Sequence, residues 1–192
     1  NGYHGTMGYD NRNLIEKEKE CITAVTDFIY EWEQNHNNPN VVITFLVNNE
    51  TDNFPYWTLN DYEVSLPDGS RRLLEKEAWN ALEVAITEES KAFKNSKYRA
   101  LTRLNLVQLW SKSPDIYDGY VKRFYDIESI DMIGEDTYMT SVKTQHDCME
   151  KLSTGNFSNN LAHIAENSGN FSNTPSLIMS AITQGAGYLI YC

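Results

Sequence analysis

The sequence predicts an α/β fold, and an incomplete one. Three observations carry this. An amphipathic helical stripe runs from Asn13 to Gln34. It is followed by Val41-Val42-Ile43-Thr44-Phe45-Leu46-Val47, apolar on both faces as in a buried parallel strand. A polar motif, Tyr3-His4-Gly5-Thr6, stands before the helix, where a preceding strand would end. Strand, helix and buried strand make the βαβ unit, yet only Asn1, Gly2 and Tyr3 are there to form its first strand. The expectation is a single domain over residues 1–192 that lacks its first strands and is completed by another chain or segment.

In the first helix Leu14, Ile15, Cys21, Ile22, Val25, Phe28, Ile29 and Trp32 share one stripe, with Glu16, Lys17, Glu31 and Glu33 largely off it. Asn35-His36-Asn37-Asn38-Pro39-Asn40 ends it, because proline forbids continuation and asparagine tolerates left-handed geometry. Residues 48–60, with Pro55, Tyr56 and Trp57, read as a loop leaving a strand's carboxyl end, where sites form, so Trp57 is a binding candidate. Pro67-Asp68-Gly69-Ser70 is a turn before a helix over 71–93 that buries Leu73, Leu74, Ala78, Ala81, Leu82, Ala85 and Ile86.

Further on, residues 104–110 suit a strand, and 113–148 read mostly as loop. Gly155-Asn156-Phe157-Ser158-Asn159 recurs as Gly169-Asn170-Phe171-Ser172-Asn173, two copies where a solenoid needs three. Between them Leu161, Ile164 and Ala165 suggest a short helix. Residues 177–182 suggest a strand, 184–187 a turn and 188–191 a short extended tail.

Composition narrows the function. Within 192 residues, 27 acidic against 16 basic side chains give a net charge of −11, which repels polyphosphate backbones and argues against nucleic acid. The densest basic stretch, Lys91 to Arg103, reads as a solvated helix end. No apolar run approaches the length of a membrane span. The three cysteines, Cys21, Cys148 and Cys192, leave at least one without an intrachain partner and have no metal-like spacing. Cys192 is therefore a candidate for a disulfide to another chain. Sequons at Asn49, Asn156 and Asn170 fit a secreted or lumenal, glycosylated protein, although chance gives about as many.

The strongest chemical motif is Tyr3-His4-Gly5, an imidazole at a strand end with a glycine that lets the backbone turn. His36, His146 and His163 lack such a context and read as structural.

The stretch Tyr3-His4-Gly5, a helix closing in Asp27-Phe28-Ile29, the turn Asn38-Pro39 and the strand Val41-Val42-Ile43-Thr44-Phe45 resembles the phosphatidylinositol-specific phospholipase C X-domain family. Asn160-Leu161-Ala162-His163-Ile164, Asn173-Thr174-Pro175-Ser176-Leu177-Ile178-Met179 and Gln184-Gly185-Ala186-Gly187 look like the last helix and strand of its secreted members.

The resemblance implies the latter part of a TIM-like (β/α) barrel, with the partner segment bearing the first strands, disulfide-linked in one version. It implies a phosphodiesterase acting on or binding a phosphoinositide-type phosphodiester, with His4 as general acid and Tyr3 and Gly5 beside the substrate. The family's first histidine and its arginine have no counterpart here, and its late Val-Asp-Phe is Met179-Ser180-Ala181. An inactive structural or binding subunit is therefore also expected. The cofactor stays open, with calcium, used by some relatives, as the candidate.

A rival comes from the same four residues. Tyr3-His4-Gly5-Thr6 before a helix also resembles the NAD-binding motif of diphtheria-type ADP-ribosyltransferases. That family's tyrosine-bearing helix and late glutamate are not evident.

Overall fold

A computed structural model describes residues 9, 11–49, 63–66, 69–72, 75–107, 119, 121–136, 141–153, 161–166, 174–183 and 187–188. The chain divides into two compact units, one of Asn1–Val42 with Asp52–Ala100 and one of Ile43–Thr51 with Leu101–Cys192.

The first unit is built on two helices. Helix α1, Arg12–His36, starts where the Asn11 side chain accepts from the N–H groups of Asn13 and Leu14 at 3.1 and 3.3 Å, satisfying two of the donors a helix start leaves open. It stops at Asn37, which takes the left-handed conformation (φ 49°) and returns its N–H to the Glu33 carbonyl. Asn40 is also left-handed, at φ 62°, so the asparagine-rich turn does what its composition predicts.

The apolar stripe is only half used. Ile15 is buried, whereas Val25 and Phe28 are 46% and 67% exposed. The face that packs instead includes Thr26, whose hydroxyl returns to the Ile22 carbonyl at 2.8 Å, and Glu33.

Strands β2, Glu63–Leu66, and β3, Gly69–Arg72, form an antiparallel hairpin; Gly69 and Ser70, expected in a turn, belong to β3, and Pro67 and Asp68 lie outside the described residues. Helix α2 therefore begins later than the pattern suggested, at Glu75, and runs to Asn95. The Arg71-Arg72 start of the expected helix pairs instead with Val64 and Glu63. Ala78, Trp79, Leu82, Ala85 and Ile86 form its buried stripe, and α2 packs against α1. Lys19 of α1 meets Glu88 of α2 at 2.9 Å, with Arg12 at 3.7 Å from the same carboxylate.

The second unit is a parallel sheet of five strands, in the order β1 (Thr44–Asn49), β4 (Leu101–Val107), β5 (Met132–Asp136), β6 (Leu161–Glu166) and β7 (Gly187–Tyr188). Each strand pairs with the next of the sheet in chain order, and every pair is parallel. Helix α3, Val142–Ser153, links β5 to β6, and α4, Thr174–Thr183, links β6 to β7. These two helices pack on each other, as successive crossovers do when they lie on one side of a sheet. Gln145 ties them, donating from Nε2 to the Leu177 carbonyl at 2.7 Å. A 3-10 turn, Val121–Asp126, precedes β5, and its Phe124 and Tyr125 are buried.

Three expectations are overturned here. Residues 113–148 are not mostly loop: they hold the 3-10 turn, β5 and the start of α3, whose short strand and charged helix carry little apolar periodicity. Leu161, Ile164 and Ala165 belong to a strand, their helical spacing being fortuitous in a six-residue run paired on both sides. Residues 177–182 belong to a helix. Pro175 fits its first turn, and Leu177 and Ala181, one helical turn apart, are both fully buried. Smaller shifts affect 41–47 and 104–110, whose strands are 44–49 and 101–107.

Candidate functional site

Parallel strands all present their carboxyl ends at one edge, the edge where ligands bind in sheets and barrels of this type. Register places residues there in rows. Asn49 pairs with Asn105, Asn105 with Gly134, Gly134 with His163, and His163 with Gly187. The next row runs Val107, Asp136 and Glu166. Laterally paired residues share a face, so Asn49, Asn105, Asp136, His163 and Glu166 all occupy positions on one face of the sheet. On the opposite face Leu104, Leu106 and Ile133 are fully buried.

Polar residues thus cluster at the carboxyl end of this face, and Asn48 and Glu135 hold positions on the other, level with Leu104 and Leu106. Asn105 is 2% exposed, and its Nδ2 donates to Asn49 Oδ1 at 2.9 Å. The Oδ1 of Asn105 is buried and has no hydrogen-bond partner among the described residues. Gly134, between Asn105 and His163, carries no side chain, and a glycine inside a strand leaves room for close approach to the backbone. Asp136 and Glu166 are register partners, so their Cα atoms lie about 5 Å apart, the spacing of adjacent strands.

Rigid support comes from below. The Thr102 N–H donates to Asp131 Oδ2 at 2.7 Å, its hydroxyl donates to the Ser129 carbonyl, and the Asp131 N–H returns to the Thr102 carbonyl at 3.0 Å. These bonds fix the entry of β4 against the segment that leads into β5.

Most sequence-derived candidates lie outside the described residues: Tyr3, His4, Gly5, Trp57, Asn156, Asn170 and Cys192. Asn49 is placed, as the last residue of β1, and its carboxamide is bonded to Asn105. His36 is exposed, stacks on Trp32 with ring centroids 4.3 Å apart, and has Nδ1 2.7 Å from the Trp32 carbonyl. His146 lies exposed on α3 rather than in a loop. Cys21 is a free, exposed thiol on α1. Among the described residues no group of histidine, cysteine and carboxylate side chains is arranged to hold a metal ion, and no helix is long and apolar enough to cross a membrane.

The residues that sequence reasoning missed share a signal. Three apolar runs each close on an acidic residue: Phe45-Leu46-Val47-Asn48-Asn49-Glu50, Met132-Ile133-Gly134-Glu135-Asp136 and Leu161-Ala162-His163-Ile164-Ala165-Glu166. Once the last two runs are strands of one parallel sheet, Asp136 and Glu166 fall at its carboxyl edge; Glu50 lies outside the described residues.

Fold and edge together define an α/β protein whose parallel sheet gathers amides and carboxylates at its carboxyl end. The chain belongs to the family described as Domain of unknown function (DUF4978), whose model matches residues 80–192, more than half of the chain. Comparison with curated proteins finds no match.

Proposed function

We propose that this chain hydrolyses glycosidic bonds, with Glu166 and Glu50 as its two working carboxylates and a (β/α) barrel as its frame. The observation that carries the proposal is the row of acidic and amide residues at the carboxyl edge, above all Glu166 at the end of β6 beside Asp136.

Glycoside hydrolysis needs two carboxyl groups flanking the bond. One protonates the departing oxygen while the other attacks the anomeric carbon or activates water. Asp136 and Glu166 are register partners on adjacent strands, so the pair counts as one flank of the bond. The second group must come from across the site. Glu50, which follows Asn49 in the sequence, is the acidic residue after the strand farthest from β6 on the β4 side. In a curved sheet, strand ends that are separated by intervening strands turn to face one another. Glu166 is assigned as nucleophile and Glu50 as acid and base, with Asp136 holding Glu166 in place.

Charge supports a neutral substrate. A net charge of −11 opposes the approach of a phosphoinositide and is indifferent to an uncharged sugar. The 12 tyrosines and 4 tryptophans, Trp57 among them, supply rings for stacking on sugar faces. The chain-order, all-parallel sheet is the order found in (β/α) barrels, and β1 ends the described sheet, open to pairing with a strand from a further segment.

Turnover of a panel of aryl glycosides by the full chain tests this. Glu166→Gln should lose about 10³-fold on every substrate. Glu50→Gln should lose as much on poor leaving groups, much less on dinitrophenyl glycosides, and regain rate with azide. Hydrolysis that is unchanged in Glu166→Gln would sink the assignment.

The phospholipase C-like phosphodiesterase remains the second proposal. The observed order, helix α1, a left-handed asparagine turn and then parallel β1, favours it. Phosphoinositide cleavage that is abolished in His4→Ala would select it over the glycosidase, and NAD binding at millimolar concentration would select the transferase.

A further inference from the structure

A buried asparagine with an idle oxygen is a poor choice for folding. Asn105 sits in the middle strand of the β1, β4, β5 triplet, 2% exposed, with buried Leu104 and Leu106 on either side in sequence. Its Oδ1 is buried without a partner among the described residues, and such an acceptor costs stability that a leucine at the same position would not. What Asn105 does accomplish is one bond: Nδ2 donates to Asn49 Oδ1 at 2.9 Å, 56 residues away, at the strand end that leads to Glu50.

A carboxamide has one acceptor and one NH2 group on opposite sides. With the oxygen of Asn49 held by Asn105, the Asn49 NH2 must face the other way. A free, exposed asparagine samples both orientations. This one is committed to presenting a donor.

We propose that Asn105 is a positioning residue, retained at a cost in stability, that orients the Asn49 amide so that its NH2 donates to a hydroxyl of a bound sugar. The sugar rests on the glycosidase reading; the orientation does not.

The direction of the bond makes the proposal testable without turnover. If Asn105 donates, Asn49→Asp keeps the acceptor, so the Asn105 side-chain NH2 stays slow in hydrogen exchange, measured by NMR on the full chain. Asn49→Leu removes the acceptor and should speed that exchange at least tenfold. Were the bond reversed, Asn49→Asp would lose it as Asn49→Leu does, and the proposal would be overturned. Thermal melting is the second arm. Asn105→Leu should melt at or above the wild-type temperature, and a marked fall would show that Asn105 serves the fold.

Kinetics on aryl glycosides is the third arm: Asn105→Leu should lower kcat/KM about tenfold or more, and undiminished kcat/KM overturns the positioning role. If the wild type turns over no glycoside, the glycosidase reading falls, and the exchange and melting arms still decide how Asn49 is held and at what cost.

Discussion

The Tyr98 hydroxyl donates to Glu33 Oε1 at 2.5 Å, joining the last turn of α1 to the segment that follows α2. The same carboxylate oxygen accepts the Val41 N–H at 2.7 Å, and the Tyr98 oxygen accepts the Val42 N–H at 2.9 Å. One buried carboxylate therefore fixes both the end of a helix and the path of the chain toward β1. Tyr98→Phe keeps the ring and removes the bonds to Glu33 and Val42, leaving the Val41 N–H on Glu33. Tyr98→Phe should cost on the order of 1–3 kcal/mol, read as a lowered midpoint in chemical denaturation, whereas Tyr30→Phe, at a more exposed position on α1, should be near neutral.

The same pair sets a pH dependence. Burial opposes ionisation of Glu33, but hydrogen bonds from the Tyr98 hydroxyl and from the N–H groups of Val41 and Asn40 outweigh it, leaving its pKa below the ordinary 4.5. The folded state thus binds this proton more weakly than the unfolded state. Its contribution is complete above pH 4.5 and is lost as pH falls below that through the lower folded value. Burial, and then the neighbouring Glu33, push the Tyr98 phenol above 10.0, so its contribution is complete below pH 10 and drains as pH rises beyond it. Denaturation midpoints from pH 2 to 7 should show a smaller acid loss in Glu33→Gln than in wild type. An identical acid limb would contradict the assignment.

Leu82 is fully buried in α2, while Val84, two residues on, is 46% exposed. Leu82→Ala should cost about 2–5 kcal/mol through lost burial and the cavity left behind. Val84→Ala should stay within about 0.5 kcal/mol. Comparable losses in the two variants would mean that the helix packs by a different face.

Gln145 is 0% exposed and reaches across from α3 to the Leu177 carbonyl of α4. Gln145→Ala should destabilise by about 1–3 kcal/mol, because a buried acceptor loses its donor. The loss should appear in the helices themselves, as faster amide exchange around Leu177.

Where the sequence was legible, long periodic segments made it so. The first helix, its asparagine turn and the core stripe Ala78, Leu82, Ala85 and Ile86 follow from spacing alone. Short apolar runs did not speak clearly: six residues at 161–166 and another six at 177–182 fit strand and helix alike, and the pairing partners decide between them. The half-exposed stripe of α1 shows the same limit, since periodicity identifies a face without saying what covers it. Asn105 was invisible because a lone asparagine in Leu104-Asn105-Leu106 gains meaning only when register sets it beside Asn49.

The two units are threaded through one another along the chain, and this has a consequence for the order of assembly. β1 is made before the hairpin and α2, whereas β4, its partner among the described residues, emerges some 56 residues later. Bringing two such distant segments together in an open chain costs loop-closure entropy, and a stretch that has already collapsed between them lowers the cost. The α1 and α2 unit should therefore act as a preformed clasp, with the parallel sheet zipping after it. Pulsed hydrogen exchange during refolding should protect the amides of α2 before those of β1, and Leu82→Ala should slow the appearance of the sheet although it lies outside it.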